Sequence, residues 1–187
     1  MSALETPSVE FIEGHGDEVV YQCRRKTSLE NQSMPTDPLM ASFATNVCNA
    51  LSASAEIRFE LHRGGLSIFR EQSDGFSVDL STVNGRFYLN FGGLEETVEN
   101  VRTAFGLFLI ALSPLSRLSA RVQDNKTIIW RLAEFRDGRE RRTLSESGYP
   151  LRSRTPVNQG TWVNELLSAN ECCRLMRMFR CEIILTE

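Results

Sequence analysis

Between Phe76 and Phe91 the chain alternates apolar and polar residues on either side of Asn84-Gly85. Few folds accommodate that pattern. Asn-Gly suits a two-residue type I′ turn, because both central residues need positive φ. With the turn centred there, Thr82 faces Phe87, Leu80 faces Leu89 and Val78 faces Phe91. The large apolar groups then share one face, and Ser77, Asp79, Ser81, Tyr88 and Asn90 share the other. A slip of one residue would turn the apolar set to water, so turn and pattern specify the same register.

Leu94, Val98, Val101, Phe105, Phe108 and Leu112 recur at steps of three and four, which predicts a helix over 94–112. Gly92-Gly93 precedes it, Glu95, Glu96 and Glu99 fall near its start, and Pro114 follows. Residues 104–112 are apolar all round, so that end is expected to be buried on more than one side. The run is too short to span a bilayer, which takes about 20 residues.

A second hairpin is predicted from Leu118, Ala120 and Val122 against Leu132, Trp130 and Ile128, with Asp124-Asn125-Lys126 as the loop. Ile129 and Phe135 break the alternation, which suggests cover on both faces of that strand. Ile57, Phe59 and Leu61 give another strand, and Leu66 and Ile68 a further one after Gly64-Gly65.

Asp37-Pro38 is a helix start, with Leu39, Met40, Phe43, Val47, Ala50 and Leu51 as one stripe that also takes in Cys48. Ser168 and Glu171 have capping-box spacing before Cys172, Leu175, Met176 and Phe179. Trp162, Leu166 and Leu167 are expected in a preceding helix or turn, and residues 181–185 read as a short strand. Val9 and Phe11, then Val19 and Tyr21, flank Gly14-His15-Gly16 as a further hairpin.

The expected class is α+β: an antiparallel sheet of about five to seven strands with two or three helices on one face. At 187 residues one domain, 1–187, is the default, with an N-terminal hairpin and loop over 1–36 and an Arg-rich loop over 136–160. No basic-then-apolar leader opens the sequence, so a cytoplasmic location is expected, without a membrane span. Five cysteines without paired spacing read as reduced, buried thiols.

The net charge of −3 hides an asymmetry. Residues 1–100 hold 7 Lys and Arg against 15 Asp and Glu, and residues 101–187 hold 14 against 9. The balances are therefore −8 and +5. Basic residues are almost all arginine, with Lys26 and Lys126 the exceptions. The densest group is Arg136, Arg139, Arg141 and Arg142, continued by Arg152 and Arg154. Arginine grips carboxylates and phosphates with paired hydrogen bonds, so these six are the candidate partner-binding residues. Glu140 partly neutralises them, as a merely solvated loop would require. Arg174, Arg177 and Arg180 fall on the polar face of the last helix.

Catalytic signals are weak. The two histidines, His15 and His62, have no partner at metal-ligand spacing, so no metal or cofactor is expected. The nucleophile-elbow, phosphate-loop and dinucleotide motifs are missing. Asp17 and Glu18 beside His15 are most simply solvated turn acids.

The element order helix, strands, helix, hairpin, helix over residues 38–179 is similar to that of the small acidic chaperones of type III secretion systems. This chain adds an N-terminal segment, an extra strand and the Arg-rich stretch. The resemblance implies protein binding and is one of topology alone. The leading expectation is a non-catalytic protein-binding module of adaptor, chaperone-like or immunity type. A protein is the expected partner, with a second copy of the chain next. Binding of nucleic acid or phosphate through residues 136–154 is the alternative, and an enzyme of unknown class the third.

Overall fold

The computed structural model describes residues 11–12, 20–22, 35–51, 57–70, 75–123, 126–148 and 158–181. Among these residues there are eleven strands and three helices, and the class is α+β with antiparallel pairing in every strand pair described. The strands divide between two sheets. β1 (Phe11–Ile12), β2 (Val20–Gln22), β3 (Arg58–His62), β4 (Gly65–Phe69), β5 (Val78–Val83), β6 (Arg86–Phe91) and β7 (Leu94–Val98) pair in sequence order. The second sheet runs β10 (Arg139–Gly148), β9 (Lys126–Arg136), β8 (Ser116–Gln123), β11 (Asn158–Trp162).

The β5–β6 hairpin has the register that its sequence specifies, with Val78 opposite Phe91, Leu80 opposite Leu89 and Thr82 opposite Phe87. Asn84 and Gly85 both have positive φ, 53° and 77°. β1 and β2 pair antiparallel, with Phe11 opposite Tyr21, and the Gly14-His15-Gly16 turn proposed between them lies outside the described residues. In β8–β9 Ala120 opposes Trp130 and Leu118 opposes Leu132, but Val122 meets Thr127 rather than Ile128 because the register shifts after Arg121.

The helix expected over 94–112 is shorter. Residues 94–98 form β7, and α2 spans Val101–Ala111. Gly92 and Gly93, both at positive φ, make a two-residue turn that sends the chain back along β6. Leu94 and Val98 fit a helical stripe at i and i+4, yet they equally share one face of a strand. Turn chemistry decided between the two. Asn100 caps α2 by accepting from Arg102 N at 2.8 Å. A Cβ on Gly93 would lie 3.1 Å from the Trp130 indole, so this turn of the first sheet seats directly on the second.

α1 (Pro38–Leu51) starts where Asp37 accepts from Met40 N at 2.8 Å. Met40, Phe43, Ala44, Val47, Cys48 and Leu51 are buried, whereas Leu39 faces solvent. α3 (Ala169–Met178) is capped by Ser168, which accepts from Glu171 N. Trp162 lies in β11, and residues 182–185 of the proposed last strand lie outside the described residues. All three helices and the inner faces of both sheets contribute to one apolar cluster. At its centre Phe43 stacks on Phe105, with ring centroids 3.8 Å apart, and Phe179 closes edge-on against both.

Phe105→Ala should therefore cost about 3–5 kcal/mol. A denaturant midpoint equal to the parent's would show that α2 does not carry the core. Gly85 has open space around it, so Gly85→Val acts through backbone strain alone. It should lower stability by about 1–3 kcal/mol, read as a drop in melting temperature.

Candidate binding face on the four-stranded sheet

The positive half of the sequence builds the four-stranded sheet. Its inner residues, Leu118, Ala120 and Leu132, belong to the buried core. The outward residues of β8 read Arg117, Ser119, Arg121, and those of β9 read Ile129, Arg131, Ala133, Phe135. β10 adds Glu140 and Glu146, and β11 adds Gln159 and Thr161. Together they line a hollow of about 270 Å³ on the outer face. The cause is side-chain length: Ser119, Ala133 and Thr161 are short, while three arginines and Phe135 rise around them. Ile129 and Phe135, expected to be covered on both faces, instead line this open hollow.

The arginines are held differently. The Arg117 guanidinium lies 4.2 Å over the Phe135 ring, a cation–π contact that fixes the plane and leaves N–H edges free. Arg131 donates to Thr143 Oγ1 at 2.9 Å through Nε and pairs with Glu140 and Glu146. Arg121 is exposed. Among the described residues neither Arg117 nor Arg121 forms an ion pair.

The six arginines expected to bind a partner fare unevenly. Residues 139–148 are strand β10, not loop, because Asp137 and Gly138, at φ 53° and 72°, form another two-residue turn. Arg136 and Arg142 converge on the buried carboxylate of Glu134, at 2.8 and 2.6 Å. The Arg142 side chain is only 14% exposed and is committed to that pair. Arg139 and Arg141 stay exposed at the hairpin tip, where Arg141 is 3.8 Å from Asp137. Arg152, Arg154 and His15 lie outside the described residues. Arg174 on α3 pairs with Glu171 at 2.7 Å.

Arg117 and Arg121 were not singled out by sequence, and Phe135 was noted only for breaking the alternation, not as a binding residue. The usable signal was alternation: arginine at every second outward position of β8, opposite a strand whose last outward residue is Phe135. Density of charge pointed to the hairpin instead.

A second polar group sits on the outer face of the seven-stranded sheet. Ser67 is paired opposite Asp79, with His62 nearby. Burial pushes the Asp79 carboxyl above its usual range, against a lowering Ser67 hydrogen bond and the His62 charge. None of these residues lines the hollow. Among the described residues no group of three or more His, Cys, Asp and Glu could hold a metal ion. No helix among them is long and apolar enough to cross a membrane.

Comparison with protein-family models, curated proteins and solved structures finds no match.

The thiols divide by burial. Cys48 and Cys172 are buried and Cys181 half-buried, while Cys173 is exposed, contrary to the expectation that all are enclosed. Burial pushes the Cys172 thiol up to about 11 and Cys181 up to about 12, so neither is a thiolate near neutrality. In native protein at pH 8, iodoacetamide should modify Cys173 well before Cys172 and Cys181. Equal rates by mass spectrometry would contradict their placement.

Proposed function

We propose that the chain is a non-catalytic protein-binding module, of adaptor, chaperone-like or immunity type, that binds through the outer face of the four-stranded sheet. The observation that carries this reading is the open hollow, in which Arg117 and Arg121 form no ion pair among the described residues and stand around short side chains. Arginine and aromatic groups set in an otherwise polar surface are the residues that dominate protein interfaces.

Nucleic-acid binding ranks second. Exposed Arg139 and Arg141 favour it, but Asp137 lies beside Arg141, Glu140 and Glu146 pair with Arg131 of the same sheet, and the net charge is −3. A phosphate backbone presents unbroken negative charge and would meet those carboxylates.

The test is a random peptide library displayed against the full chain, run beside DNA and RNA retention across a salt series. The expected result is selected peptides that lose binding to Arg121→Glu while its thermal melt is unchanged, and no nucleic-acid retention at physiological salt. Tight retention that falls steeply with salt, and is lost when Arg139 and Arg141 are changed to Glu, would put the nucleic-acid reading first.

A further inference from the structure

We infer that the hollow is a subsite for a carboxylate side chain of an extended, acidic peptide segment. This rests on the protein-binding reading and narrows it to one partner chemistry. Three observations on the hollow lead there.

The first is size. A volume of about 270 Å³ falls below the roughly 300–1,000 Å³ of sites that enclose small ligands and cofactors. It accommodates a side chain or two of a segment that continues across the sheet on either side. The lining is also open to solvent: Arg121, Glu140, Glu146, Gln159 and Thr161 are all exposed.

The second is which arginines are available. Arg131 is already neutralised by Glu140 and Glu146 and anchored by Thr143. Arg117 and Arg121 have no carboxylate of their own among the described residues. They project from the same strand face on either side of Ser119, the short residue that makes the floor between them. Stacking on Phe135 holds the Arg117 guanidinium plane before a ligand arrives, so less side-chain freedom is lost on binding. Ser119 already donates to Arg131 O at 3.4 Å, and Thr161 and Gln159 add a hydroxyl and an amide donor beside it. A carboxylate placed over Ser119 would thus meet donors on several sides and no acid of the β8–β11 half.

The third is the charge of the whole hollow. Three arginines against two glutamates leave a single positive charge in the lining. One or two carboxylates separated by neutral residues match that. Continuous phosphate charge does not, because it would lie over Glu146 as well.

The experiment is fluorescence-anisotropy titration of the full chain with labelled probes: a peptide alternating Glu with Ser and Leu, its Gln counterpart, and a single-stranded DNA of equal length. The Glu peptide should bind saturably at low salt and weaken as salt rises, and the Gln peptide should bind at least about tenfold more weakly. Arg121→Gln and Arg117→Gln should each lower affinity for the Glu peptide by about tenfold with unchanged thermal melts. The double change of Arg139 and Arg141 to Gln should leave that affinity within about twofold. Arg121 is exposed, so its variant keeps the test usable even if Arg117→Gln perturbs the fold. Equal binding of the Glu and Gln peptides, undiminished binding by Arg121→Gln, or tighter binding of the DNA would each overturn the inference. If library-selected neutral peptides bind at the Arg121 face while the Glu peptide does not, the carboxylate subsite fails and the protein-binding reading stands. If neither kind of peptide binds, both fail.

Discussion

Asn164 holds together parts of the chain that no secondary structure connects. It is fully buried and comes 88 residues after its partner Phe76. Its carbonyl accepts from Phe76 N at 3.1 Å, and its amide donates to Phe76 O at 2.9 Å and to Ala111 O at 3.0 Å. Phe76 lies just ahead of β5, outside the ladder, and Ala111 closes α2, where carbonyls have no partner within the helix. One planar amide satisfies all three groups, which buried backbone requires. Aspartate could not donate, and leucine could neither donate nor accept. Leu166 N and Leu167 N add bonds to Leu112 O, at 3.0 and 2.9 Å. These contacts fix where α3 begins, and so where Phe179 meets Phe43 and Phe105.

The acidic and basic halves of the sequence become separate sheets with a shared core. Contact between the sheets is made by short or polar groups: Gly93 under Trp130, and Ser145 donating to Glu96. The buried Glu134 with Arg136 and Arg142 closes the far end of the second sheet. Such a pair adds little net stability over apolar packing, but loss of either partner's charge leaves the other exposed to a dry environment.

Local signals were legible where two of them agreed. Asn84-Gly85 lay between alternating runs, and Asp37-Pro38 preceded a stripe at helical spacing, so β5–β6 and α1 follow from sequence. The segment 94–98 failed because its apolar residues fit both periods and Gly92-Gly93 was read as a helix lead-in rather than as a turn. β10 failed for a related reason. Asp137-Gly138 is as good a turn pair as Asn84-Gly85, but the strand after it is charged and carries two register shifts, which erase the alternation. Asn164 is a single asparagine in a short connection, and nothing local distinguishes it from a solvated one. Of the binding face, the arginine content of the second half was legible. The division between arginines tied to Glu134 or Glu140 and those without an ion pair among the described residues depends on strand pairing across β8, β9 and β10.

The seating of the Gly92-Gly93 turn on the second sheet has an optical consequence. The chain has two tryptophans, and both lie on the inner face of that sheet, with ring centroids 6.0 Å apart. Trp130 touches the turn itself. Intrinsic emission therefore reports on the seam between the sheets rather than on the molecule as a whole. A partial opening that parts the sheets while each keeps its hydrogen-bonded ladder would shift the emission with little change in far-ultraviolet dichroism. The two signals, followed together, separate loss of the seam from loss of the strands.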